Sequence, residues 1–289
     1  MAEVFVVDTG NNRIQVLDLV GKYIRQWGSL GAGNGQFYNP IEVTVYKKEA
    51  FIADASNHRV QVFDLKGTYK RQWGSWGPGS GQFNNPRGIA VYNDEVFVAD
   101  TNNHRVQVFT LAGTYKRQWG SEGSGDGQFY YTRGIAVFKD EVFVTALASD
   151  RVQVFTLAGI YKRQWGSWGS TKGKFDSPRG ITVSEDEVFV VDTNNHRVQV
   201  FTLAGIYKRQ WGYEGTGNGR FIYPEVARVS KDEVFVVDYG NHRVQVFTLA
   251  GLYIRKWGSL GSTNGLYKYP LGIDITAGHI DYLPIMGMG

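Results

Sequence analysis

Residues 95–138 contain four short runs of β-branched and aromatic residues separated by turns. The runs are Glu95-Val-Phe-Val-Ala-Asp100, Arg105-Val-Gln-Val-Phe109, Tyr115-Lys-Arg-Gln-Trp119 and Gly134-Ile-Ala-Val-Phe138. Such runs favour β-strands, and no 3.6-residue periodicity indicates a helix. A short turn, Thr101-Asn-Asn-His104, joins the first two runs, and a glycine-rich long loop, residues 120–132, precedes the fourth. The segment therefore predicts four antiparallel strands.

The same phrase recurs along the 289-residue chain at a constant spacing of 46 residues. Its opening residues are Glu3, Glu49, Glu95, Glu141, Glu187 and Glu233. A fixed period of this length is the signature of a repeat architecture. The predicted repeats are 3–48, 49–94, 95–140, 141–186, 187–232 and 233–278. This division excludes two ordinary domains, which length alone would have allowed.

Four strands in one repeat of this length are typical of a propeller blade. The run that follows each opening glutamate is apolar on both sides, as expected for a strand between two neighbouring blades. The Tyr115 run and its copies carry a lysine column, which protects an outer edge from aggregation: Lys70, Lys116, Lys162 and Lys208. We therefore expect an all-β, six-bladed β-propeller of four-stranded antiparallel blades. The Tyr115 run should be outermost and the Gly134 run innermost.

The phase of the repeat predicts how the ring closes. The first repeat begins in the second strand of a blade, so its innermost strand must come from elsewhere in the chain. Residues 271–276, Leu-Gly-Ile-Asp-Ile-Thr, match that strand and should join the N-terminal strands. We expect one propeller over residues 1–278 and a tail, residues 279–289, outside the ring.

Composition narrows the class of protein. Hydrophobic residues make up 42% of the chain and aromatic residues 15%, and there are 37 glycines, which suits many short strands joined by turns. No apolar stretch approaches the roughly 20 residues of a membrane span, and no secretory signal is visible. The chain has no cysteine, so disulfides and thiolate metal sites are excluded. We expect a cytoplasmic protein without cofactor, dinucleotide or membrane partner.

The repeated block resembles the NHL repeat family. The resemblance rests on Asp100-Thr-Asn-Asn-His-Arg-Val-Gln-Val-Phe109, together with Gly-Gln-Phe and Pro-Arg-Gly-Ile-Ala-Val within residues 81–91. The triplet that names the family, Asn-His-Leu, reads Asn-His-Arg in four repeats. The resemblance implies a six-bladed propeller, similar to the C-terminal domains of tripartite-motif and brain-tumour proteins, which recognise RNA or protein on one face. No ligase activity is implied, because RING, B-box and coiled-coil segments are absent.

Comparison of the six copies separates the scaffold from a site. The outer-strand Tyr, Arg and Trp columns do not vary, and we interpret them as packing of arginine against aromatic rings between blades. A second invariant arginine column consists of Arg13, Arg59, Arg105, Arg151, Arg197 and Arg243. Much of the basic charge therefore belongs to the scaffold, and the net charge of +4 says little about nucleic acid.

An Asp–His pair at the short turn resembles an acid–base dyad. It occurs as Asp54 with His58 and is repeated in three other blades. Because an active site is needed once, we interpret the pair as part of a hydrogen-bonded turn. Repeat 4 has Ala146 and Asp150 instead, and we expect its turn to be loosened.

Variable positions concentrate in the long loops and at the start of the innermost strands. Three arginines follow the loops of three successive blades and are interleaved in sequence with aromatic residues. The predicted partner-binding or RNA-binding residues are Trp76, Arg87, Tyr130, Tyr131, Arg133, Trp168 and Arg179. We expect a basic, aromatic arc beside an acidic edge formed by Glu214 and Glu225. Bracing of the inner rim by the three arginines is the alternative.

A second set of departures lies further along the innermost strands. Where most copies have glycine or alanine, the chain has Glu42, Arg228 and Asp274 on blades that are contiguous across the closure. We predict that Arg228 pairs with Asp274 beside the channel and holds the closing strand. A metal site is the alternative, but two carboxylates beside an arginine make a poor divalent site.

The sequence is compatible with several functions. The first is a non-catalytic, monomeric recognition propeller that binds a protein through the face carrying the long loops and short turns. The second is a single-stranded RNA-binding domain that uses the same arc. The third is a consensus-like propeller with no strong partner. An enzyme with a metal in the channel ranks last, because four of the five histidines belong to the repeated turn and no hydrolase or phosphate-loop motif occurs.

Overall fold

The computed structural model describes residues 2–276, which form six four-stranded antiparallel sheets. The strands of blade 1 are β24 (Ile273–Ile275), β1 (Glu3–Asp8), β2 (Arg13–Asp18) and β3 (Tyr23–Trp27). Those of blade 2 are β4 (Pro40–Tyr46), β5 (Glu49–Asp54), β6 (Arg59–Asp64) and β7 (Tyr69–Trp73). Those of blade 3 are β8 (Pro86–Tyr92), β9 (Glu95–Asp100), β10 (Arg105–Thr110) and β11 (Tyr115–Trp119).

The remaining three blades repeat this order from the axis outwards. Blade 4 consists of β12 (Thr132–Phe138), β13 (Glu141–Ala146), β14 (Arg151–Thr156) and β15 (Tyr161–Trp165). Blade 5 consists of β16 (Pro178–Ser184), β17 (Glu187–Asp192), β18 (Arg197–Thr202) and β19 (Tyr207–Trp211). Blade 6 consists of β20 (Pro224–Ser230), β21 (Glu233–Asp238), β22 (Arg243–Thr248) and β23 (Tyr253–Trp257). Each innermost strand contacts its two neighbours, and β24 contacts both β4 and β20, so the ring is closed.

Helical structure in the described residues is confined to single 3-10 turns at the short turns. They span Thr9–Asn11, Ala55–Asn57, Thr101–Asn103, Leu147–Ser149 and Tyr239–Asn241. Turns of this length cannot cross a lipid bilayer. The predicted all-β, six-bladed propeller is therefore confirmed, with the long loops and the short turns on one surface, which we call the loop face.

The hydrophobic core lies between adjacent blades rather than within one sheet. Val96 and Val98 face one neighbour and Phe97 the other, because successive side chains of a strand point to opposite sides. Trp119 lies between Phe97 of its own blade and Phe155 of the next, with ring centroids 6.4 and 5.8 Å apart. Each blade therefore buries its apolar residues only when both neighbours are present.

Polar contacts of the outer strand also join blades. Arg117 binds both carboxylate oxygens of Glu95 within its blade and donates from Nε to the carbonyl of Leu157 in the next blade at 3.0 Å. The guanidinium carbon lies 5.8 Å from the centroid of the Phe97 ring. The same contacts recur in every blade, as expected for invariant columns. Packing of arginine against an aromatic ring is observed, but within a blade rather than between blades as predicted, and the arginine contacts the next blade through its hydrogen bond to a carbonyl.

The closing strand pairs with β1 as the repeat phase predicts. Ile273 and Ile275 lie opposite Val6 and Val4, and the ladder continues through hydrogen bonds from Val7 N to Gly272 O and from Thr276 N to Glu3 O. The strand is shorter than residues 271–276, since Leu271 and Gly272 are not part of the regular strand. The predicted tail, residues 279–289, lies outside the described residues.

Candidate functional site

The carboxylate at the end of each second strand organises the short turn. Asp100 is fully buried and accepts hydrogen bonds from Arg105 Nε at 2.8 Å and Asn103 Nδ2 at 2.9 Å. It also accepts one from the backbone N–H of Asn84 in the long loop at 2.7 Å. These donors satisfy the buried charge. The carboxylate is part of the scaffold and is not available to a ligand.

The histidine of the turn contacts the next blade instead of the aspartate. His104 adopts a left-handed conformation, and its Nδ1 accepts a hydrogen bond from the backbone N–H of Tyr131 at 3.1 Å. The equivalent bond links His58 to Asn85. Because a backbone N–H can only donate, Nδ1 is the acceptor and carries no proton. The interpretation as a hydrogen-bonded turn is therefore confirmed, although arginine rather than histidine is the main partner of the aspartate.

Blade 4 departs from this arrangement. Asp150 takes the place of the histidine and accepts from Ser177 N at 2.7 Å, so the contact with the next loop is kept. Ala146 provides no carboxylate, and the buried Nε of Arg151 has no hydrogen-bond partner among the described residues. The turn has lost part of its hydrogen-bond network, which agrees with the predicted loosening.

The aromatic members of the predicted site are exposed on the loop face. Trp76 is 69% exposed and Trp168 is 72% exposed, and each lies in the first part of a long loop, just after an outer strand. Tyr130 and Tyr131 lie nearer the axis, at the end of the loop that leads into β12, and are partly exposed. The Tyr131 ring packs 4.9 Å from the ring of His104.

The three arginines converge on the axis rather than alternating with these aromatic side chains. They are members of one ring of equivalent positions, the axial ring, which consists of Ile41, Arg87, Arg133, Arg179, Glu225 and Leu271. The axial pocket has an empty space of about 230 Å³, part of it open to solvent. Its lining includes all members of the axial ring except Glu225. The sequence predicts a single arc of arginines and aromatic residues on the loop face. The structure instead has two zones, with exposed aromatic rings farther from the axis and arginines at the centre.

Glycines explain why the arginines can approach each other. The residue after Arg133 is Gly134, and a Cβ atom there would lie 2.2 Å from the carbonyl oxygen of Arg179. Gly88 is equally close to the carbonyl oxygen of Arg133, at 2.3 Å. The innermost strands of blades 3, 4 and 5 therefore pack backbone to backbone, which no larger residue would permit.

Glu225 is the partner that column comparison did not find. Its Oε2 accepts from Arg133 at 2.7 Å, and its Oε1 is ion-paired with Arg179. Glu225 is fully buried, so it does not form the exposed acidic edge that the sequence predicts. Its position in the same column as the arginines is the one signal that could have revealed the pairing.

The axial ring carries an excess of positive charge. Three guanidinium groups face one carboxylate, and within residues 2–276 Arg87 forms no ion pair. The charge of Arg133, together with burial, lowers the pKa of Arg87 to about 9. Three buried nitrogens, Arg87 Nε, Arg133 Nη1 and Arg179 Nε, have no hydrogen-bond partner in the described part of the chain.

Glu42, Arg228 and Asp274 also meet at the channel, further from the loop face. Arg228 lies 3.3 Å from Glu42 Oε1 and 3.7 Å from Asp274 Oδ1, both N···O distances. Asp274 also accepts a hydrogen bond from Val45 N at 2.6 Å. Burial raises the pKa of Glu42 to about 7, against the opposing attraction of Arg228. The predicted partners thus lie within ion-pair distance of each other, and Arg228 is shared by two carboxylates.

Three segments of the chain match a known family of sequence repeats. Residues 83–109, 175–201 and 221–247 match the model of the NHL repeat. The chain contains NHL repeats. The resemblance of its repeated block to that family is therefore confirmed in three of the blades, and no curated protein sequence matches the chain.

Solved structures similar to this propeller include a chain of a protein complex and two enzymes. A chain from the crystal structure of the nidogen/laminin complex has a TM-score of 0.69 at 16% identity, covering 95% of this chain and 98% of that one. A virginiamycin B lyase from Staphylococcus aureus with quinupristin has a TM-score of 0.62 at 17% identity, covering 87% and 79%. A streptogramin B lyase has 0.65 at 15%, covering 93% and 82%. At these identities the likeness shows the fold alone, so function must be argued from the site.

Proposed function

We propose that this NHL propeller is a non-catalytic recognition domain that binds a protein partner through its loop face. The observation that carries the proposal is the exposure of Trp76 and Trp168 on long loops, while the repeated histidines and aspartates are engaged within the scaffold. Tryptophan, tyrosine and arginine dominate the energetics of protein interfaces. A tryptophan that is more than two-thirds exposed leaves a large apolar surface in water, and a partner would bury it.

The composition of the loop face supports a protein partner. The loop position of Trp76 and Trp168 is occupied by exposed leucines in two other blades, Leu30 and Leu260. Partly exposed tyrosines at the inner ends of the loops, such as Tyr131, add rings with a polar end. Apolar side chains on four loops, interrupted by Glu122 and Glu214, match the mixed character of a non-obligate interface.

The engagement of the titratable side chains in structural contacts supports a non-catalytic role. Asp100 is surrounded by hydrogen-bond donors, and His104 accepts a backbone N–H. In residues 2–276 no group of three or more histidines, aspartates or glutamates is arranged to hold a metal ion. The similar lyases show that the fold also accommodates enzymes.

Single-stranded RNA is the second candidate, since exposed tryptophans and arginines also bind unpaired bases. Its weakness is that Arg133 is buried and that Glu225 already neutralises part of the arginine charge. Contacts to phosphates require basic groups that the nucleic-acid backbone can reach. Protein binding is therefore the function that the geometry supports best.

The experiment uses short peptides selected from a random display library on the native chain. The affinity of the best peptide is then measured by fluorescence anisotropy for the native chain and for the Trp76→Ser/Trp168→Ser variant. Loss of two interface tryptophans should weaken binding by at least tenfold, which corresponds to about 1.4 kcal/mol. The matched control is Leu30→Ser/Leu260→Ser, which removes exposed apolar groups from the same loop position in other blades.

Other outcomes discriminate between the candidates. Equal affinities for native chain and tryptophan variant would exclude the proposed face. An oligouridine probe that binds more tightly than any peptide, with an affinity that falls steeply between low and moderate salt, would favour RNA. Replacing Arg87 by alanine should then weaken RNA binding while the fold is retained, because Arg87, unlike Arg133 and Arg179, has no ion pair with the buried Glu225 in the described structure.

A further inference from the structure

We propose that the axial pocket binds a carboxylate side chain of the protein partner. The proposal rests on the proposed function and adds to it the chemistry of the central contact. An aspartate or glutamate of the partner would enter the pocket from the loop face. Its carboxylate would accept hydrogen bonds from Arg87 and Arg179, and the exposed tryptophans would hold the flanking residues.

The pocket has the charge that an anion requires. Its axial ring contains three arginines and one glutamate, and both oxygens of that glutamate, Glu225, are already engaged by Arg133 and Arg179. Glu42 at the pocket wall does not cancel the excess, because it has a partner of its own in Arg228, 3.3 Å away. A second carboxylate would neutralise charge that the folded chain itself leaves uncompensated.

Two arginines that line the pocket also have unpartnered donors. Arg87 Nε and Arg179 Nε are buried and have no hydrogen-bond partner within residues 2–276. A buried N–H without a partner costs about 1–3 kcal/mol, and more for a charged group, so an acceptor in the pocket is strongly favoured. Guanidinium groups bind carboxylates in parallel pairs of hydrogen bonds, which adds geometric selectivity.

Size favours a side chain over a larger ligand. Much of the space of about 230 Å³ is open solvent or gaps between atoms, and the room for whole atoms is about that of one water molecule. The tip of a side chain can therefore enter, but a base or a sugar cannot. Ile41 and Leu271 complete the axial ring with apolar surface. This mixture of arginines and apolar surface suits the terminal carboxylate of one acidic residue and the methylene group beside it.

The chain offers a conservative way to remove one donor. Arg87→Leu introduces a residue that the equivalent positions already accept as Ile41 and Leu271. Arg87 has no ion pair to break in the described structure, so the fold should be retained. Arg179→Leu serves as a second variant. Lys66→Gln is the matched control, since Lys66 is exposed in a turn on the opposite face and its loss removes the same charge.

The test is a double-mutant cycle between protein and peptide. A peptide selected on the native chain is synthesised in two forms, with its acidic residue intact and with that residue changed to the amide. We expect the amide form, and separately Arg87→Leu, to weaken binding about ten- to a hundredfold, the range for hydrogen bonds to charged groups. The combined loss should be much less than the product of the two factors, and Lys66→Gln should have no effect.

The outcomes separate this inference from the proposed function. Peptides that bind the native chain and depend on Trp76 and Trp168, but are insensitive to the amide change and to both arginine variants, would overturn the carboxylate site and leave the proposed function intact. Failure of every peptide to bind would refute both. If Arg87→Leu weakens the binding of an oligouridine probe but not the binding of acidic peptides, the pocket is assigned to phosphate and the proposal is overturned.

Discussion

Glu42 should make the stability of the propeller fall as the pH rises towards neutrality. Its carboxyl is buried beside Arg228 and Asp274, and Asp274 already has a backbone hydrogen bond from Val45. Arg228 therefore compensates only part of the charge, and Glu42 retains its proton. Glu42→Gln preserves the shape of the neutral side chain and removes the titration.

The magnitude follows from the difference between the folded and unfolded pKa values. Burial raises the pKa of Glu42 from 4.5 to about 7 in the folded chain. The stability that neutral Glu42 contributes is fully present below the unfolded pKa and is lost as the pH rises through the folded pKa. At 1.36 kcal/mol for each pKa unit, the loss between about pH 4 and about pH 8 amounts to about 3 kcal/mol.

Chemical denaturation of the native chain and of Glu42→Gln at both pH values measures the effect. The two proteins should be similarly stable at about pH 4, and the variant should be more stable by about 3 kcal/mol at about pH 8. Glu122→Gln, an exposed glutamate of a long loop, controls for the removal of a carboxylate. A stability difference between Glu42→Gln and the native chain that does not change with pH would refute the reasoning.

Three further changes test other parts of the molecule. Ala146→Asp should raise the free energy of unfolding by about 1 kcal/mol, because Arg151 Nε gains an acceptor; a lower denaturation midpoint would contradict this. Glu187→Gln should lower the free energy of unfolding by about 2 kcal/mol at neutral pH, after allowance for screening by solvent at the outer strand. The variant should also lose less stability than the native chain as the pH falls. The reason is that hydrogen bonds from an arginine lower the pKa of Glu187 to about 2, so its stabilisation is present above about pH 4.5 and lost as the pH falls towards 2; an equal loss of stability in the two proteins, measured by denaturation, would exclude the effect. A double-mutant cycle of Arg228→Ala and Asp274→Ala should give a coupling energy of about 1 kcal/mol if the pair holds the closing strand, whereas additive losses would exclude that role.

Much of the fold is predictable because the repeat encodes it locally. Alternation of side chains within five to seven residues specifies a strand, and a constant spacing of equivalent residues specifies identical blades. The closing strand also follows, since Gly272-Ile-Asp-Ile275 carries the pattern of the innermost strands at the same 46-residue spacing. Even the scaffold role of Asp100 can be inferred, because an active site is needed once and the Asp–His pair occurs in four blades.

The site is only partly predictable. Trp76 and Trp168 differ between blades and lie on loops, and both are exposed, as a variable loop position favours. The position of the arginines differs from the prediction. Their interleaving with aromatic residues in the sequence indicates a shared surface, yet the loop carries Trp76 outwards while β8 holds Arg87 at the axis.

The repeat period, the strand order and the closure are properties of the amino-acid sequence, because they depend on neighbours along the chain or on equal spacing. The contact between Arg133 and Glu225 joins residues 92 positions apart on blades that are not adjacent. It depends on the radius of the ring and on the close packing of innermost strands at Gly134, neither of which any single repeat encodes. Only the assembled ring therefore determines that Arg87, Arg133 and Arg179 meet at one pocket, and that Glu225 pairs with two of them.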